Sequence, residues 1–293
     1  MTEYLSRGIA VLRDEGLRPF IGKSGKFLCS KIFNPVGYQV RSHLPVLYYT
    51  SAKWWYRNRK QFDTDDWDAP LDPYKVIWVS PDNITKMTSR PPNLPIEERI
   101  EKFGAVEGGD WDISSDMQYR SWRPETYGDN KWIYEHLIDR EFEQTTFFRS
   151  AKQHFHNGVP WEETSFYEQI VDGFNKAYAG LPAYGSNKAE FEESLYTIDR
   201  LYRNVKKNGV LMESEINNKP FDYTLNDSIL VDIARDGELL FVEGRRRLTV
   251  AKLLAVDQIP IRIQIRHSDW MEYRDTVFNN KVEVKHPDFF EFQ

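Results

Sequence analysis

The residues from Ser228 to Arg266 leave this chain the fewest choices. "SILVDIARDGELLFVEG" (Ser228–Gly244) holds two apolar runs on either side of Asp236-Gly237. That dipeptide supplies the positive φ of a tight turn, so the segment predicts a β-hairpin. "RRRLTVAKLL" follows at once, with Leu248, Ala251 and Leu254 at helical spacing. "IPIRIQIR" then alternates Ile259, Ile261, Ile263 and Ile265 with polar positions, the pattern of a half-buried strand. Upstream, "FEESLYTIDRLYRNVKKNG" places Phe191, Leu195, Ile198, Tyr202 and Val205 on one helical face. Lys206 and Lys207 suit the negative end of that helix, and Gly209 is a good terminator. The order is helix, hairpin, helix, strand. Further upstream, "KVIWVSPDNI" reads as a strand entering a turn.

Three consecutive arginines stand where the hairpin passes into the helix. The first N–H groups of a helix lack intrahelical partners and sit at its positive dipole end. A glycine before them permits close backbone approach, and guanidinium forks grip phosphate oxygens in pairs. Gly244, Arg245, Arg246 and Arg247 therefore form a candidate anion site. The competing reading is a solvated charge run, or arginines paired with structural carboxylates. Glu243 beside the turn is a candidate proton or cation handle, or an ordinary partner for an arginine.

This ordered block resembles the N-terminal, nuclease-like domain of ParB within the ParB/sulfiredoxin-like superfamily. Its carriers are Gly244-Arg245-Arg246-Arg247-Leu248, then Ala251-Lys252, then Ile259-Pro260-Ile261, with "KKNGVL" before them. The resemblance covers about residues 190–267, and 75–90 as an opening strand. It implies an α+β fold: a small mixed sheet with flanking helices, carrying a large helical, aromatic-rich insertion over about 100–188. It further implies that Gly244, Arg246 and Arg247 contact phosphates. A phosphate-bearing small molecule, such as a nucleotide with a divalent cation, is then the expected ligand. NTPase, nuclease and kinase-type chemistries all occur in that superfamily, and fold alone does not choose among them. Arg245 stands where many members carry Glu or His, which puts hydrolysis in question. There is no second "E-N-x-Q-R" box, and Cys29 is remote from the turn that sulfiredoxin chemistry would use.

Other signals carry less. "EGGDWD" offers Asp110 and Asp112 around flexible glycines, as cation ligands, as a base for a substrate hydroxyl, or as a plain acidic turn. "HFH" (His154, Phe155, His156) lies near Glu162 and Glu163, without the further ligands a metal site needs. "GKSGK" (Gly22–Lys26) follows a helical pattern and has five residues between Gly16 and Gly22, where a phosphate-binding loop requires four. No metal is assigned.

Charge divides the chain. Residues 1–60 hold 11 Lys/Arg against 3 Asp/Glu, whereas the remainder holds 28 against 42. A basic, aromatic N-terminal segment over 1–70 is thus expected ahead of a domain over 71–293, with an acidic connector near Gln61–Pro73. The segment would meet a polyanion first, either nucleic acid or an anionic membrane surface. The acidic remainder disfavours broad DNA binding, and "VFNNKVEVKHPDFFEFQ" shows no helix-turn-helix for a ParB-like DNA adaptor. No apolar run reaches the ~18–20 residues that cross a bilayer, and no secretory signal is visible. A cytoplasmic protein is expected, with peripheral membrane or assembly roles as the third reading.

Overall fold

A computed structural model of the chain describes residues 67–71, 75–88, 104–113, 141–175, 187–210 and 229–290. The Asp236-Gly237 turn closes the expected hairpin. Strand β4 (Ile229–Ile233) pairs antiparallel with β5 (Leu239–Glu243), and Gly237 takes φ +89°. Strand β6 (Ile259–His267) lies parallel to β4 on its other side. Three short strands complete the sheet. Strand β1 (Ile77–Val79) pairs antiparallel with β6, β2 (Lys86–Met87) parallel with β5, and β3 (Ala105–Glu107) parallel with β6 beyond β1. The six-stranded order is β1-β6-β4-β5-β2, with β3 sharing the β1 side of β6.

Five helices are described: α1 (Thr146–Asn157), α2 (Ser165–Asn175), α3 (Lys188–Asn208), α4 (Arg245–Leu253) and α5 (Ser268–Asn280). The protein is therefore mixed α/β, as an α+β reading requires. Local chemistry sets the helix ends. Thr145 caps α1 through its hydroxyl, and Asn187 caps α3 through its side-chain oxygen. Gly209 ends α3 at φ +74°, where expected. Phe191, Leu195 and Ile198 of α3 are buried in one core with Val231, Phe241 and Ile261 of the sheet.

The stretch 100–188 supplies β3 to the sheet as well as helices α1 and α2. Phe147, Phe148, Phe166 and Ile170 of those helices enter the same core as the sheet. The structure corrects one expectation. Strand β6 is not half-buried: Arg262, Gln264 and Arg266 are each 3 % exposed or less. It lies inside the sheet, and a register shift opposite Val231/Ile233 breaks the alternation. Ile259, Ile261 and Ile263 consequently join the main core, whereas Ile265 packs in a smaller cluster with Trp111, Ala234 and Leu240. Helix α5, which the sequence reading does not predict, follows β6 directly. A single 3-10 turn (Pro287–Phe289) comes after it. The backbone amides of Asp68 and Ala69, expected in the N-terminal segment, donate to the Asp275 carboxylate of α5. The basic stretch 1–60 and Cys29 lie outside the described residues. Among the described residues, no helix is long and apolar enough to cross a membrane.

Candidate functional site

Strand β5 stops at Glu243, Gly244 turns the chain, and α4 begins at Arg245. Gly244 is the N-cap at φ +94°, ψ 28°, a region that side-chain-bearing residues rarely adopt. A Cβ there would sit 3.0 Å from Cα of Ile229, so the glycine answers both a backbone and a packing demand. Its carbonyl accepts from the amides of Arg247 and Leu248 at 3.0 Å, closing the first helical turn. Arg245, Arg246 and Arg247 are thus the first three residues of α4, each half-buried. Beyond them Leu248, Thr249, Val250, Ala251 and Leu253 are all buried, a wider apolar surface than the Leu248–Ala251–Leu254 stripe implied. The far end is pinned where the buried Lys252 side chain donates to Glu143 at 3.1 Å.

The electrostatics of this turn run against the ordinary rule. Acidic residues belong near a helix N-terminus and cations near its C-terminus. Helix α3 obeys, with Glu190 in its first turn and Lys206 and Lys207 in its last. Helix α5 begins with Asp269. Helix α4 has no acidic residue in its first turn and three arginines instead. The dipole and the guanidinium charge thus carry the same sign at this turn. Glu243 is half-buried immediately before Gly244, opposite Leu230 of β4.

Asp110 and Asp112 are not brought to this turn. The Gly108-Gly109 loop after β3 folds onto the opposite end of the hairpin, where Arg235 takes up both carboxylates. Arg235 donates from Nη2 to Asp110 at 2.9 Å and to Asp112 at 2.8 Å, from Nε to Asp112 at 2.9 Å, and from its backbone amide to Asp112 at 2.9 Å. Burial pushes the Asp112 carboxyl up, but these bonds outweigh it and hold the group below its ordinary value. The same partners, Asp112 first, raise Arg235 above its own. His267 closes the loop with Nε2 2.7 Å from the Gly109 carbonyl. The length of β5 separates this cluster from Gly244, roughly 15–20 Å at about 3.3 Å per residue. These carboxylates are structural partners of Arg235, and Glu243 is the candidate carboxylate that stays beside the arginines.

The "HFH" histidines are likewise occupied. His154 stacks on Trp161 with ring centroids 4.4 Å apart, and its Nδ1 lies 2.7 Å from the Val159 carbonyl. Its Nε2 lies 3.3 Å from Asp199, which also accepts from the Trp161 indole at 3.0 Å. His156 Nε2 lies 3.0 Å from the Leu253 carbonyl at the end of α4. Glu162 and Glu163 are exposed in a 3-10 turn. Among the described residues, no three His, Cys, Asp or Glu side chains converge as metal ligands do.

Sequence reasoning missed the most buried polar cluster. Asp288 is fully buried and accepts from Arg266 at 2.6 Å and from the Trp270 indole at 2.9 Å, with Arg274 Nε 3.0 Å away. Burial pushes its carboxyl up, yet the two guanidiniums hold it below the usual carboxylate range. His286 caps the same turn, accepting the Asp288 amide on Nδ1 with Nε2 3.0 Å from the Gly237 carbonyl. Its partners lie 14 to 22 residues from Asp288 or on a strand that reads as half-exposed, so spacing gives no signal.

Comparison with family models, with curated proteins and with solved structures finds no match for this chain.

Proposed function

We propose that the Gly244–Arg247 turn binds a phosphate-bearing ligand, a nucleotide or another phosphoester, in a domain of the ParB/sulfiredoxin-like kind. One observation carries the reading: three arginines occupy the first turn of α4, at the positive end of its dipole, with no acidic residue in that turn. Cations at a helix N-terminus reverse the ordinary preference, and a bound anion suits both the dipole and the guanidiniums. The αL glycine and the strand-to-helix geometry support it, since both bring backbone amides close to a phosphate. The succession of α3, hairpin, turn, α4 and β6 is the order that the resemblance implies. The reading is one of binding. Of Asp110, Asp112 and Glu243, only Glu243 adjoins the turn.

A thermal-shift panel tests it with inorganic phosphate, nucleoside triphosphates with and without magnesium, sugar phosphates, and the matching unphosphorylated compounds. A ligand that binds only the folded state stabilises it by RT ln(1 + [L]/Kd), about 2.7 kcal/mol at a hundredfold excess over Kd. At least one phosphorylated class should raise the melting temperature while its unphosphorylated counterpart does not. Equal shifts within each pair would defeat the reading.

A further inference from the structure

A second cationic surface lies on α3, and its evidence does not depend on the reading above. Its buried face carries Phe191, Leu195 and Ile198. On the opposite side Tyr196, Arg200, Arg203 and Lys207 follow at steps of four, three and four, within an arc of about 60° at 100° per residue. All four are exposed, Tyr196 at 63 %. Arg200 donates to the neighbouring Thr197 hydroxyl at 3.3 Å, and no carboxylate among the described residues pairs with Arg200, Arg203 or Lys207. Glu193 is exposed one turn before Tyr196 and bounds the stripe; from Ser194 to Asn208 the one carboxylate, Asp199, is half-buried against Trp161 and His154. This stands out in a chain of net charge −6.

From these observations we infer that the outer face of α3 binds single-stranded nucleic acid, with Arg200, Arg203 and Lys207 on successive phosphates and a base stacked on Tyr196. The stripe is about 16 Å long at 1.5 Å per residue, enough to follow a few nucleotides of one strand. An aromatic ring beside a row of cations is how sequence-tolerant single-strand binders hold a base, and a paired, stacked base would not offer its face. A membrane fits less well. An interfacial helix needs its apolar face for lipid, and that face of α3 is committed to the core. The acidic remainder of the protein repels a polyanion only weakly beyond about 8–10 Å at physiological salt, so a local stripe governs docking.

Fluorescence anisotropy of a labelled 20-nucleotide oligo-dT with the full chain tests the inference. The triple variant R200A/R203A/K207A should bind roughly tenfold more weakly or worse at low salt. Its log–log salt slope should fall short of wild type by about two, the value for three single-strand phosphate contacts. Y196A should also weaken binding severalfold, whereas Y196F should stay close to wild type. All four positions are exposed, and circular dichroism checks that each variant keeps its fold. Absence of wild-type binding at low salt, or wild-type affinity in the triple variant, overturns the inference. So does a Y196A variant unchanged on oligo-dT while the triple variant loses heparin and phosphatidylserine vesicles equally, since the stripe would then be a generic polyanion surface.

Discussion

Fully buried Asp288 answers two guanidiniums that are themselves out of water. Arg266 is 1 % exposed and Arg274 is 0 % exposed. Removing one partner of a buried ionic cluster strands the remaining charge at roughly 3–5 kcal/mol. Asp288→Ala should lose about that much in urea or guanidinium unfolding, with Asp288→Asn intermediate because it keeps the shape and loses the charge. Beside it, burial holds the His286 imidazole below its ordinary 6.5 despite the opposing pull of Asp288. A lowered histidine value means the unfolded chain binds the proton more readily. Stability from neutral His286 is therefore fully present above about pH 6.5 and is lost as pH falls below it. Asp288 contributes in a lower window: its stabilisation holds above its ordinary 3.8 and is lost as pH falls through its depressed folded value. Unfolding free energies between pH 5 and 7.5 should rise with pH in wild type. The rise should be smaller in His286→Asn, which keeps an acceptor for the Asp288 amide but does not titrate. Identical slopes would show that His286 binds its proton equally well in the folded and the unfolded chain.

At the scale of elements, glycines provide a matched comparison. Gly109 and Gly244 share φ +94°, but a Cβ at Gly109 meets nothing within 4 Å, whereas one at Gly244 meets Ile229 at 3.0 Å. Gly109→Ala should cost the backbone strain alone, of order 1–3 kcal/mol. Gly244→Ala should cost roughly 1–3 kcal/mol more, because β4 or α4 must shift. Equal costs would mean that the close approach of β4 to the turn is relaxed without penalty. The hairpin, the α3 stripe and the β5–α4 junction were legible because each is written in local chemistry: Asp236-Gly237, a 3.6-residue apolar period, and Gly244 before a helical pattern. Helix α5 was not, since its inward face runs Trp270, Arg274, Val277 and a buried arginine interrupts the apolar period. Strand β6 looked half-buried for the same reason: Arg262, Gln264 and Arg266 read as solvent-facing, whereas the fold covers both sides of the strand. Long-range ion pairing turns polar residues inward, and periodicity cannot register it.

Across the whole molecule, charge is sorted by place. The described part contains one cationic turn at the start of α4, one cationic stripe on α3, and carboxylates at the hairpin end committed to Arg235. Asp110 and Asp112 stand among glycines, a pattern that suits cation binding, and nothing local signals that Arg235, 123 residues from Asp112, claims them. The Gly244–Arg247 turn was legible because strand, glycine, arginines and helix are contiguous in sequence. The central claim is that its arginines hold a phosphate, and isothermal titration of the best phosphorylated ligand from the panel tests it most directly. Arg246→Ala should weaken binding by roughly 1.5–3 kcal/mol, the worth of a charge-assisted hydrogen bond, with the unfolding free energy of the unliganded protein little changed. Arg246→Lys should recover only part of the loss, because an ammonium keeps the charge without the planar fork. Equal affinity for that ligand in wild type and Arg246→Ala would show that the arginines do not form the binding site.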